Sequence, residues 1–432
     1  MKFSRRHFLE TAGITAAISL AKPASLLAQD ESAGTGRQPA AIARLKSRKA
    51  EAKPITTAER EQRIERARQL MVENKMDAVM IMGGTSLVYF ANIHWWMSER
   101  TFALILPVKG SPFYVCPAFE EDRAREQIAS GPGGNNAEVR TWQEDESPYQ
   151  RIAEGLKARG LSTGKIGMEE TVRYVFSEGV SKAAPGLQLV SGTRVTAGCR
   201  MIKSPHELQL MKLANEVTLA AYEAAYLSTK EGMTQNDFGA MVQAAHAQQG
   251  FRGDASIQIG EYSALPHGSA TPQVIREGTI LLMDGGCTVE GYESDISRTV
   301  VLGKPTDKMK QVFEIVHKAQ SAALATAKPG VQCQAVDAAA RKVIADAGYG
   351  PDYKHFTHRV GHGIGMDGHE WPYLVRGNTL LLAPNMTFSD EPGIYIRGEF
   401  GVRLEDDIHI TENGAELFTP QSPSLEQPFE KA

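Results

Sequence analysis

The sequence predicts an α+β protein in two parts: a smaller α/β domain, then a larger unit made of two related halves. Three observations carry this. Strand-like and helix-like stretches alternate between residues 55 and 195, as in a layered α/β domain. After residue 200, a helix pair followed by a β-rich, acidic stretch occurs twice. The 432 residues are 42% hydrophobic and 23% charged, an ordinary globular composition with enough chain for two or three domains.

Residues 1–29 are expected to be an export address outside the fold. Ser4-Arg5-Arg6-His7-Phe8-Leu9 has a twin-arginine pattern, and the apolar stretch from Ala12 to Ala21 is too short to span a bilayer. A cut after Ala28 and a periplasmic or otherwise exported location follow as expectations. Residues 30–54 are polar and read as a linker. No later run of about 20 apolar residues exists, so no membrane contact is expected once the signal is removed.

The first domain is expected over 55–198. Thr56 and Glu59 form a capping-box pattern, and Ile64, Ala67, Leu70 and Met71 follow at helical spacing. Asp77 to Met82 reads as a strand stopped by Gly83-Gly84. Leu87 to Phe90 and Thr101 to Leu106 read as further strands, with helices at Glu120 to Ile128 and Tyr149 to Arg159.

The second unit is expected over 199–425. Ser204-Pro205-His206-Glu207 is a helix start, with Ser as cap, Pro at the first position and Glu reaching back. Helices over 205–228 and 235–249 flank a turn at Gly232. Helices over 307–326 and 335–347 flank an equivalent turn at Gly330. Two such copies would place one site at the pseudo-twofold between them.

Charge and cysteines exclude several functions. With 47 basic and 51 acidic residues the net charge is −4, which lacks the basic footprint of a nucleic-acid binder. Cys116, Cys199, Cys287 and Cys333 form no CxxC pair, against a zinc knuckle or thioredoxin-like site. They are expected to be buried free thiols, with a disulfide of unspecified pairing as the alternative in an exported chain.

The acidic residues point to a metal. Ten residues separate Asp284 from Asp295, each beside a strand-like run, with Gly285, Gly286 and Gly291 available for turns. A hairpin would bring both carboxylates together. Two buried anions side by side need a cation. Glu391 and Glu405 repeat the device in the second half. His355, His358, His362 and His369 fall within fifteen residues, and 358 and 362 would share one face of an extended strand.

These stretches, LPHG at 265–268, Asp284 to Asp295, SDISRT at 294–299, HRVGHGIGMDGHEWP at 358–372, EPGIY at 391–395 and GVRLEDD at 401–407, resemble the pita-bread metallopeptidases. That family includes methionine aminopeptidase, aminopeptidase P and prolidase. With a creatinase-type N-terminal domain, the likeness spans about residues 55–425. The resemblance implies two divalent metal ions held by Asp284, Asp295, His362, Glu391 and Glu405. Asp295 and Glu405 would bridge them, Asp284 completing one and His362 with Glu391 the other. None of the five is missing, which weighs against creatinase and against non-catalytic relatives.

The resemblance also implies roles. Glu391 would take a proton from the attacking water, and His267 or His369 would stabilise the oxyanion or leaving group. His358 would line the pocket, and Arg403 and Tyr395 would support the ligands from behind. A homodimer is expected, with Arg100 and the Trp95-Trp96 loop closing a neighbouring site and Arg100 taking the substrate carboxylate. Trp371-Pro372 is the expected pocket wall. The oxygen-rich donor set suits manganese, with iron, cobalt or zinc as alternatives. The implied function is hydrolysis of the Xaa-Pro bond in dipeptides or short peptides. The alternative is a relative repurposed for another small molecule, such as a dimethylsulfoniopropionate lyase, against which Gly286 weighs.

Overall fold

The computed structural model describes residues 38–429, so the signal reading of 1–29 and the first part of the expected linker lie outside them. Among the described residues, strands β1 (Ala78–Met82), β2 (Ala103–Pro107), β3 (Phe113–Pro117), β4 (Glu138–Trp142), β5 (Gly164–Met168) and β6 (Leu187–Ser191) form a mixed sheet ordered β4-β3-β2-β1-β5-β6. Every residue of β1, β2 and β3 is buried, as expected of strands covered on both faces. Alternate residues serve opposite cores. Val79, Ile81, Leu104 and Leu106 meet Ile64, Leu70 and Val195, while Met80, Ile105 and Val115 meet Ile152, Leu156 and Phe176.

The helices of this part are α2 (Thr57–Glu73), α3 (Thr85–Ala91), α4 (Glu121–Ile128), α5 (Pro148–Lys157), α6 (Tyr174–Ala183) and α7 (Thr193–Arg200), preceded by a short turn, α1 (Ala40–Ala43). The capping box forms: Thr56 Oγ1 accepts the Glu59 N–H at 3.2 Å, and Glu59 accepts the Thr56 N–H at 2.8 Å.

Two expectations fail. Leu87 to Phe90 is the middle of α3, not a strand. The helix buries Leu87, Tyr89 and Phe90, so its apolar run carries no periodicity, and Asn92 in the left-handed region closes it. Residues 39–54 are not free linker: Ile42 is fully buried against Ala221, Ala224 and Ala245, and Arg48 pairs with Glu216 at 2.9 Å. Ile42 and Leu45 pack on the second unit, and the Arg48 N–H donates to the Gln249 carbonyl at 2.9 Å.

The second unit holds α8 (Pro205–Tyr226), α9 (Gln235–Gln249), α10 (Asp307–Thr326) and α11 (Cys333–Ile344). Its first half adds β7 (Arg252–Ile259), β8 (Ile280–Val289), β9 (Tyr292–Glu293) and β10 (Ile296–Val301). Its second half adds β11 (Gly361–Gly363), β12 (Glu370–Leu374), β13 (Thr387–Asp390), β14 (Gly393–Ile396), β15 (Phe400–Arg403), β16 (Asp406–Ile410) and β17 (Ala415–Leu417). The doubling read from sequence is visible in the backbone. Gly232 and Gly330 have φ of 92° and 83°. Their N–H groups donate to Ile275 and Leu382, both at 2.9 Å. Isolated bridges then join Thr234 to Val274 and Gln332 to Leu381.

The halves meet where β10 runs beside β15. Thr299 Oγ1 donates to the Arg403 carbonyl at 2.7 Å, and the Glu405 N–H to the Ser297 carbonyl at 3.2 Å. No helix among the described residues is long and apolar enough to cross a membrane.

Candidate metal centre

The β8–β10 hairpin sets Asp284 opposite Ser297, while Asp295 sits in the break between β9 and β10. On the other side, β13 pairs with β16 and β14 with β15. Glu391 and Glu405 occupy the two facing breaks between these ladders. His362 lies in β11, whose neighbour is β13. A strand break frees a side chain from the sheet's alternation, and three of the four carboxylates sit at one.

The donors converge on a cleft of about 390 Å³, which His267, His358, Arg359, His369 and Val375 also line. Three groups of donor atoms lie within 4.8 Å of one another: Asp284, Asp295 and Glu405; His362, Glu391 and Glu405; and Asp295, His362 and His369. Glu405 belongs to the first two, as a bridge between adjacent positions would.

His362 is held ready to ligate. Its Nδ1 donates to the Gly363 carbonyl at 3.1 Å, so Nε2 carries the lone pair. That atom lies 3.4 Å from Glu391 and 3.7 Å from Asp295. His358 is fixed similarly: Nδ1 donates to the Arg359 carbonyl at 2.8 Å and Nε2 accepts from the Tyr395 hydroxyl at 2.7 Å. Burial depresses both imidazoles to about 3, with His369 adding to the effect on His362 and Arg403 on His358.

Arg403 is the counter-charge. Its Nη2 is 2.6 Å from Asp284, Nε donates to Ser297 Oγ at 2.8 Å, and Nη1 donates to the Tyr395 hydroxyl at 3.0 Å. Burial acts to raise Asp284, but Arg403 and Ser297 hold it below the usual carboxylate range. The other three carboxylates go up. Burial pushes Glu391 to about 8, and burial with neighbouring carboxylates drives Asp295 and Glu405 well above their ordinary values.

Ser297 tests whether the site fits a cation. Its Oγ lies 2.6 Å from Asp284 Oδ1 and 2.7 Å from Glu405 Oε2. One hydroxyl proton cannot serve two carboxylates. Protein groups alone therefore leave this buried cluster short of positive charge, and the donor set fits divalent ions.

His267 and His369 are both exposed at the cleft, and the His369 ring centroid is 4.0 Å from that of His362. Arg100 does not line the cleft of its own chain. It is partly exposed in the first domain, paired with Glu144 at 2.9 Å and Glu99 at 2.6 Å. Nearby, Trp95 is buried on Phe102 and Trp96 is 86% exposed. Val375 lines the cleft, and Trp371 and Pro372 do not.

Sequence reasoning missed Ser297, Arg359 and a buried brace behind the ligands. Arg298 pairs with Asp406 at 2.6 Å, and Asp407 accepts from Asn215 and from the Asp295 N–H, both at 2.9 Å. All but Arg359 and Asn215 fall in the SDISRT and GVRLEDD stretches, whose density of polar residues in strands was the available signal.

Comparison with known families matches residues 209–412 to metallopeptidase family M24 and residues 63–202 to the creatinase/prolidase N-terminal domain. The chain belongs to metallopeptidase family M24; it is a peptidase with the pita-bread fold. It is 32% identical to the Xaa-Pro dipeptidase of Lactobacillus delbrueckii subsp. lactis over 370 residues, covering 84% of this chain and 98% of the relative. Among solved structures it is similar to the dipeptidase PepE of Mycobacterium ulcerans, at 32% identity and TM-score 0.81, covering 87% of this chain and 99% of that one. It is also similar to the X-Pro aminopeptidase of Thermotoga maritima, at 29% identity and TM-score 0.71, covering 84% and 99%.

Proposed function

We propose that the chain is a dinuclear, metal-dependent hydrolase of the Xaa-Pro bond in short peptides. The observation that carries this is the pair of donor groups sharing Glu405. Asp284, Asp295 and Glu405 would hold one ion, and His362, Glu391 and Glu405, with Asp295 again in reach, the other. Bound ions would supply Lewis acidity and lower the pKa of water toward neutrality.

The chain's own groups do the rest. Glu391 lines the same cleft as the other donors, where its carboxylate can accept and return a proton. Arg359 is donor-only and contacts His369 Nδ1 at 3.4 Å, so the His369 hydrogen sits on Nε2. That N–H can stabilise charge developing on the substrate carbonyl or on the leaving nitrogen, and exposed His267 offers a second donor. Arg403 and Tyr395 keep Asp284 and His358 in place.

Manganese is the proposed metal, because four of the five donors are carboxylates. Loading in the cytosol before twin-arginine export of the folded protein, and a homodimer, complete the reading. Relatives named as dipeptidases support the peptide bond over the lyase alternative.

The test is cleavage of Ala-Pro, Ala-Pro-Ala and Ala-Ala by the manganese-loaded protein, with Glu391→Gln alongside. Cleavage confined to Xaa-Pro bonds and lost in the variant is the expected result. No Glu391-dependent cleavage of any peptide overturns it.

A further inference from the structure

We infer that Arg359 holds the free carboxylate of a dipeptide substrate, and so turns the cleft toward dipeptides and away from longer peptides. This rests on the Xaa-Pro hydrolase reading of the same cleft and names what that reading leaves open, the far end of the substrate.

A dipeptide carries its free carboxylate beside the scissile bond, and a guanidinium is the strongest partner a side chain can offer it. Three arginines bear on this, and two are already committed. Arg403 is 2% exposed and spends its guanidinium on Asp284, Ser297, Tyr395 and the Pro266 carbonyl. Taking up a substrate carboxylate would strip Asp284 of its counter-charge. Arg100 is held by Glu99 and Glu144 outside its own chain's cleft.

Arg359 remains. It lines the cleft, is partly exposed, and among the described residues makes no ion pair. Its guanidinium carbon lies 4.1 Å over the Tyr373 ring, and its one hydrogen bond runs to His369 Nδ1 at 3.4 Å. Five N–H donors with one long bond leave most of the fork free for a planar, two-oxygen acceptor.

Its placement is fixed from behind. The Arg359 carbonyl accepts from His358 Nδ1 at 2.8 Å, and the next N–H, of Val360, donates to Asp337 at 3.0 Å. Tyr373 is the cross-strand partner of His362, so the cation sits one strand from a ligand.

A tripeptide puts a neutral amide where the dipeptide has its carboxylate, and moves the charge one residue, about 3.8 Å, onward. An amide would keep a hydrogen bond to Arg359 and lose the charge pairing.

The experiment compares kcat/KM for Ala-Pro, Ala-prolinamide and Ala-Pro-Ala in the wild type, Arg359→Met and Arg359→Lys. The wild type should favour Ala-Pro over the amide by about tenfold or more, the margin between charge-assisted and neutral hydrogen bonds. Arg359→Met should lower kcat/KM for Ala-Pro by about that factor more than for the amide; a loss shared by both substrates reports on His369, which Arg359 also contacts. Arg359→Lys should restore part of the preference. Equal losses on acid and amide in Arg359→Met, or no wild-type preference for the acid, overturn the inference while leaving the hydrolase reading intact. No cleavage of any substrate by the wild type overturns both.

Discussion

Replacing Ser297 by Ala removes the hydroxyl that Asp284 and Glu405 share while leaving all five donors. Hydrogen-bond partners behind metal ligands are worth about 10–100-fold in affinity. Ser297→Ala should therefore weaken metal binding by that range, read by titrating the metal-free protein. Arg298 poses the opposite problem. It and Asp406 are 1% and 0% exposed, so Arg298→Met strands a buried carboxylate and should cost about 3–5 kcal/mol in a urea melt.

His246 gives a pH dependence away from the centre. Burial depresses it to about 4, against a Nδ1 bond to the Val242 carbonyl of 2.9 Å. The unfolded imidazole takes its proton near 6.5. Between those values the unfolded chain binds the extra proton. The contribution is therefore full above about 6.5 and is lost as pH falls to about 4, on the order of 3 kcal/mol. His358 and His362 slope the same way in the metal-free protein. The difference between wild type and His246→Gln in urea melts across that window isolates this residue.

The donors were legible because each half carries a spaced pair of acids in an apolar setting. Ser297 was not, because one Ser carries no spacing. Arg359 stood in plain view, but its meaning depends on which other arginines are already paired, and only the fold supplies that.

The turn at 365–370 carries an analogous lesson for elements. It joins β11 to His369 and is braced from outside. Glu370 accepts the N–H groups of Met366 and Asp367 at 3.0 and 3.2 Å and pairs with Lys203 at 3.1 Å. Asp367 pairs with Arg200 at the end of α7 at 2.9 Å and accepts a hydrogen bond from Thr85 at the start of α3. The first domain thus helps hold the loop that ends at His369. Asp367 is 42% exposed but its partner Arg200 only 8%, so Asp367→Ala leaves that guanidinium with Glu370 alone and should lower the melting temperature measurably. It should lower kcat by about tenfold, since small misplacements of a reacting group are costly. Added to His369→Ala it should cost nothing more. The strand reading of Leu87 to Phe90 failed at the same junction. Residues packed on several sides lose the periodicity that tells helix from strand.

Across the whole molecule, the doubled plan was legible because two glycines and their flanking helices repeat in order. The docking of 39–54 onto the second unit was not, since it rests on scattered contacts of Ile42, Leu45 and Arg48 that make no pattern in sequence. The seam between halves gathers mutually repelling carboxylates, so each half is held to the other against local repulsion. Divalent ions that bind only the folded form should add about 2.7 kcal/mol at a hundred times their Kd. Chelation should lower the melting temperature, and added metal should raise it with concentration, by calorimetry.

The four thiols mark this architecture from within. Cys116 and Cys199 lie in the core of the first domain, Cys287 under α8, and Cys333 in the core of the second half. All are free and buried, and burial pushes each well up, so none reacts while its own core stays shut. Alkylation caught at increasing times is thus a record of local opening, written by the chain itself. The order in which the cysteines are modified would tell which part of the molecule breathes first.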